Sequence, residues 1–209
     1  YFSEWVEPHE LVDPDIERAE SSYLHGTCVD SIIVDGPALN PLRDDGCGRF
    51  QVRHFGITAD QRLSVLTLLR EVEGIVKTNR DIKVWNLSLG SPLTISGNSI
   101  SPVAALLDRI QRECDVIFVV AGTNLPRGYK GDELYRLGSP ADSVNALVVN
   151  AVDGEGHPAS YSRVGPVLHS FTKPDVAYFG GDSDEACLTW ANKSEHYSHG
   201  TSYAAPWIA

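Results

Sequence analysis

The chain has little of several things, and each shortage excludes something. Its longest unbroken run of large apolar residues, 116–120, is far too short to cross a bilayer. Basic residues are outnumbered: 17 Lys and Arg face 28 Asp and Glu, for a net charge of −11. That balance lacks the clustered cations that phosphate backbones require, so neither nucleic acid nor a membrane is an expected partner. There are four cysteines, Cys28, Cys47, Cys114 and Cys187, and their spacing matches no zinc pattern; they read as scattered thiols. Methionine is absent, which is unusual for 209 residues. The opening, YFSEWVEPHE, has no basic region followed by an apolar core, hence no recognisable export signal. No repeat, low-complexity tract or linker divides the chain, so one domain is the simplest reading.

What is present is an alternation of two periods. Three β-branched apolar runs, 83–89, 116–122 and 145–152, predict buried strands, and 50–57 is a weaker candidate. Between them, 61–77 and 102–114 carry apolar residues at steps of three and four, the second opening on Ser-Pro. Strand, helix, strand, helix, strand predicts an α/β domain with a parallel sheet covered on both faces. Loops are expected over 35–48, 90–101, 123–143 and 180–200. A helix is expected to start just after the His25-Gly26-Thr27 stretch, and another just after Gly200-Thr201-Ser202.

In such sheets binding sites gather beyond the carboxyl ends of the strands. Two strands here end in Ser88-Leu89-Gly90 and Ala121-Gly122-Thr123-Asn124. His25, beside Gly26 at a helix mouth, has the side chain whose ordinary pKa suits a general base near neutrality. Ser202 follows Gly200-Thr201 and precedes Tyr-Ala-Ala-Pro. Backbone N–H groups at a helix start can stabilise a developing oxyanion, although a serine there most often only caps the helix. Asn124 could offer its amide to the same oxyanion, or simply make a turn.

The order of these pieces is more telling than any one of them. HGTCV, NLSLG, SPADSVNALVVNAVD, ASYSRVGP, KPDVAYFGG and GTSYAAP follow one another along the chain. Together they resemble the subtilisin-like serine proteases, the subtilases, over roughly residues 25–209. The resemblance implies a doubly wound, three-layer α/β domain with a mainly parallel sheet. It implies that residues 1–209 form part of a catalytic domain cut at both ends. By the same resemblance His25 is the general base, Ser202 the nucleophile, and Asn124 with the Ser202 N–H the oxyanion hole. Ser88, Leu89 and Gly90 would pair with an extended protein or peptide substrate. Ala121, Gly122 and Thr123 would line the pocket for the side chain before the scissile bond. No cofactor is required; calcium stabilises many members of the family, but nothing in this sequence indicates a site. A prodomain or regulatory partner outside this chain is compatible with the family.

The match has gaps. The family's third catalytic residue is an Asp that closes an early apolar strand, and only residues 1–24 precede His25. Asp13 and Asp15 are candidates, but they lack that strand, so the expected place of the Asp is upstream of Tyr1. The family's Ala-Ala-Gly-Asn reads Ala121-Gly122-Thr123-Asn124 here. Asp30 stands where a small residue is usual and would need a partner if buried. Cys28, next to the His segment, could confer sensitivity to thiol reagents. His196 and His199 read as a polar rim of the site, with a ligand pair as the alternative. The expected function is a serine endopeptidase working through an acyl-enzyme. The alternative is a subtilase-like binding or regulatory domain without turnover. An α/β-hydrolase esterase fits poorly, because Ala204 stands where the second Gly of its nucleophile turn belongs.

Overall fold

A computed structural model describes residues 2–16, 19–44, 46–57, 65–95, 98–126 and 136–209. Its centre is a four-stranded sheet in the order β3 (Val84–Leu87), β4 (Ile117–Ala121), β5 (Leu147–Val152) and β8 (Val176–Phe179), with every neighbouring pair parallel. The period-two alternation of buried strands sets the layers. Phe118, Val120 and Val148 point to one face, where they pack with Leu69, Val72 and Val76 of α2 (Val65–Thr78) and Leu107 and Ile110 of α3 (Pro102–Cys114). Val119, Ala121, Val149 and Ala151 point to the other, against Ala204 and Ala205 at the end of α4 (Thr201–Ala204). Small residues on that second face let α4 lie close on the strands. The result is the α/β three-layer arrangement expected, subtilisin-like in its parallel sheet.

A second parallel pair stands apart. β1 (Val6–Glu10) runs alongside β2 (Val52–Gly56) in register Val6 to Val52, and among the described residues it is not hydrogen-bonded to the main sheet. Two antiparallel hairpins complete the described strands, β6 (Gly165–Leu168) with β7 (Phe171–Lys173), and β9 (Cys187–Ala191) with β10 (Ser194–Ser198).

Several elements differ from the sequence expectation. α1 (Ser21–Leu39) begins before His25 rather than after Thr27, and runs on through the first part of the expected loop 35–48. It bends at Asp35 (φ −145°, ψ 26°), just before Pro37, whose ring cannot continue a straight helix. Arg49 holds the bend by donating from Nε and Nη2 to the two Asp35 oxygens at 2.8 and 3.2 Å. The expected loop 180–200 contains the β9–β10 hairpin. Its tight turn has Asn192 and Lys193 at φ 48° and 62°, the left-handed pair that matches strand twist. The first turn of the helix predicted over 61–77, and residues 127–135 of the predicted loop 123–143, lie outside the described residues.

Candidate active site

The turn before Ser202 is built by Gly200. Its φ of 153° and ψ of 157° suit glycine, and its N–H donates to the Gly180 carbonyl at 3.0 Å, tying β10 to the end of β8. Thr201 then starts the helix fully buried, and Ser202 follows half-exposed. In a first turn the backbone N–H groups have no partner within the helix. Ser202 and Ser88 are cross-tied: Ser88 Oγ donates to the Ser202 carbonyl at 2.9 Å, and Ser202 Oγ donates to the Ser88 carbonyl at 3.4 Å. Asn86 in turn donates to Ser88 Oγ at 3.0 Å. The carboxyl end of β3 and the turn before Ser202 are therefore tied together.

Asn124 is clamped from the same turn. Its Oδ1 accepts from the Thr201 N–H at 3.0 Å and from Thr201 Oγ1 at 2.9 Å. This fixes which way the amide faces and leaves Nδ2 as the outward donor, 3.1 Å from where a Cβ on Gly200 would stand. The rest of the β4 end is more closed. Ala121 packs under α4, and the Gly122 N–H is taken by the Val149 carbonyl at 2.8 Å. Thr123 has a left-handed φ of 66° and is 7% exposed. Leu89 is half-buried and Gly90 exposed, beyond the last residue of β3.

His25 sits in the second turn of α1, open to the cleft, with its ring 5.7 Å from that of Tyr203. The protein mass around it disfavours the imidazolium and lowers its pKa below the ordinary value. Among the described residues no carboxylate pairs with it. Asp13 and Asp15 lie exposed in the turn after β1, where the Asp15 N–H donates to Asp13 Oδ1 at 2.9 Å.

Beside this group runs a cleft of about 2190 Å³. β2 and β3 form its two long walls, α1 contributes Val29 and Ile33 on one face, and α2 contributes Leu68, Val72 and Ile75 on the other. Both walls are strand edges without a partner on that side among the described residues. His25, Ser88 and Ser202 stand at its rim. Across it Phe55 of β2 meets Trp85 of β3, ring centroids 5.7 Å apart. On the α1 side Asp30, 7% exposed, receives His54 Nδ1 at 2.7 Å. That bond to Asp30 raises the His54 pKa against the opposing effect of burial, with Glu10 adding a smaller attraction. His54 also touches the His25 segment, since a Cβ on Gly26 would come within 2.8 Å of its Cε1.

The subtilase family model matches residues 3–209. The chain belongs to the subtilase family. Solved structures similar to this subtilase include the prenylagaramide maturation protease PagA, at 23% identity and a TM-score of 0.66, covering 99% of this chain and 66% of that one. The patellamide maturation protease PatA is similar at 24% identity and a TM-score of 0.65, covering 98% of this chain and 68% of the other. These likenesses are of fold. Among curated proteins, the uncharacterized protein y4bN of Sinorhizobium fredii is 28% identical over 145 residues, covering 52% of this chain and 34% of that protein. The subtilase chain thus spans about a third of that relative.

Other expectations take a different form in this subtilase. Cys28 is 2% exposed, and burial pushes its thiol pKa up, so it is not an accessible thiolate. His196 Nε2 lies 3.0 Å from the Ala191 carbonyl inside the hairpin, and His199 lies exposed, its ring 5.8 Å from that of Tyr161; no metal-holding cluster occurs among the described residues. Sequence reasoning anticipated that Asp30 needs a partner but did not identify His54, which is 24 positions away on a strand. It also missed Thr201, whose two hydrogen bonds to Asn124 could be read only from the fold.

Proposed function

We propose that this chain carries the nucleophile, general base and oxyanion hole of a serine endopeptidase. The observation that carries the reading is the Asn124–Thr201 clamp, which supports an amide donor fixed against the nucleophile turn before substrate arrives. Substrate lies extended along Ser88–Gly90. Ser202 Oγ leaves the Ser88 carbonyl, passes its proton to His25 and attacks the peptide carbonyl carbon. The oxygen's charge is taken up by Asn124 Nδ2 and the Ser202 N–H. The C–N bond breaks as His25 returns the proton to the leaving amine, and the acyl group stays on Ser202. Water, deprotonated by His25, then releases the acid and restores the serine. The lowered pKa of His25 keeps the ring neutral and able to accept a proton at pH 7.

The orienting carboxylate, on this reading, comes from an extended segment outside residues 1–209 that fills the slot between β2 and β3. Two parallel edges unpaired among the described residues, apolar cover on both faces and His25 in the lining support a buried strand there. The reaction needs no cofactor, and an external prodomain or partner would act on the open substrate face. A second reading, a binding domain without turnover, is favoured by one observation: the hydrogen bond of Ser202 Oγ goes to Ser88, not to His25. Fluorophosphonate labelling of the full-length protein separates the two. The endopeptidase reading expects labelling that disappears in Ser202→Ala; equal labelling of both would sink it.

A further inference from the structure

Thr123, which departs from the family motif, stands where it can decide what the enzyme cuts. β3 and β4 are adjacent and parallel, paired Leu87 to Val120, so their continuations at 88–90 and 121–124 bound a notch beside the nucleophile. In the reaction above, the attacked carbonyl points its oxygen at Asn124 Nδ2, and Ser202 Oγ approaches from the Ser88 side. The side chain on the acyl half of the substrate must then enter the notch between Gly90 and the residue before Asn124. That residue is Thr123.

Its side chain cannot swing clear. Thr123 Oγ1 accepts the Gly138 N–H at 3.0 Å, which directs the methyl Cγ2 at Gly90. The fit is so close that a Cβ on Gly90 would lie 2.6 Å from Cγ2. The remaining side is shut by the 137–139 segment: the Ser91 N–H donates to the Ser139 carbonyl at 2.7 Å and the Ile95 N–H to the Leu137 carbonyl at 3.0 Å. A Cβ on Gly138 would come within 3.0 Å of the Leu93 carbonyl oxygen and nearer still to that of Ser91. The left-handed φ of 66° is costly for a β-branched residue, so the backbone there is better suited to glycine than to the threonine it carries.

We propose that Thr123 is a specificity-determining plug: its methyl fills the notch and restricts cleavage to bonds whose acyl residue is Gly, Ala or Ser. This rests on Ser202 being the nucleophile. A single methylene of fit is worth ~10–200-fold in kcat/KM, so excluding a whole ring or isobutyl group lies at or above the upper end.

The test uses the full-length protein and four fluorogenic peptidyl-coumarin amides that differ only in the residue before the coumarin: Gly, Ala, Leu and Phe. Wild type is expected to favour Ala or Gly over Leu and Phe by at least ~100-fold. Thr123→Ser keeps the hydroxyl on Gly138 and removes only the methyl, and should narrow the gap by ~10-fold or more. Thr123→Gly suits the backbone angle and should turn the preference to Leu and Phe. Fluorophosphonate labelling is measured on each protein. Labelled proteins that share one profile across all three sequences, or a labelled wild type that prefers Phe or cleaves none of the four, overturn the plug and leave the nucleophile standing. A wild type that does not label overturns both.

Discussion

Leucine in place of His54 removes the partner of a carboxylate that is only 10% exposed in its side chain. The His54 ring is 32% exposed, so water can replace part of what is lost. A charge-assisted hydrogen bond contributes ~1.5–3 kcal/mol, and breaking a wholly buried ion pair costs ~3–5 kcal/mol. Partial exposure places the expected coupling between His54 and Asp30 near the lower range, about 2 kcal/mol at pH 5.5. The pH dependence has a definite sign. The folded-state pKa of His54 is raised above its ordinary value, so the stabilisation is fully present below about 6.5 and is lost as pH rises through the folded value. At pH 9 only a neutral Nδ1–H to carboxylate bond remains, worth about 1 kcal/mol. The assay is a double-mutant cycle of His54→Leu, Asp30→Asn and the pair in the full-length protein, followed by urea unfolding at both pH values. A coupling below about 0.5 kcal/mol at pH 5.5, or one that grows toward pH 9, would refute the reasoning.

Four further outcomes follow from the site. Asn124→Ala should lower kcat by ~10²–10³ with little change in KM, a scale that comes from subtilisin itself; a rise in KM alone would mean the amide serves binding. Thr201→Val keeps the N–H to Asn124 but removes the hydroxyl at 2.9 Å, and should lower kcat by ~10-fold while thermal unfolding shifts little. Gly26→Ala forces a methyl to within 2.8 Å of the His54 ring, so the pH-dependent part of the stability measured above should shrink; an unchanged pH profile would show that His54 can move aside. Cys47 is the exposed cysteine and Cys28, Cys114 and Cys187 are buried, so native protein should take up one equivalent of iodoacetamide from these four, located at Cys47 by peptide mapping. Modification at Cys28 before unfolding would contradict the packing of α1.

Much of the site is legible in the sequence because its parts are local. Gly-Thr-Ser before Ala-Ala-Pro states a tight turn followed by a helix, and Ser88-Leu89-Gly90 and Asn124 each end a β-branched run whose strand character is plain. The helix carrying His25 starts earlier than the sequence suggests. Ser21, Ser22 and Tyr23 are weak helix formers, and the packing of α1 against β9, with the Trp190 N–H on Ser31 Oγ at 2.9 Å, overrides that preference. The hairpin at 187–198 is hard to read from sequence because β9 is short and its partner β10, SEHYS, is polar and largely exposed.

By itself, then, the amino-acid order determines the α/β layering, the tight turn before Ser202 and the two strand ends that face it, since each depends on periodicity and neighbours within a few residues. Only the tertiary structure decides how those pieces are aimed. Thr201 reaches Asn124 across 77 positions, Ser88 reaches Ser202 across 114, and His54 finds Asp30 from a separate strand.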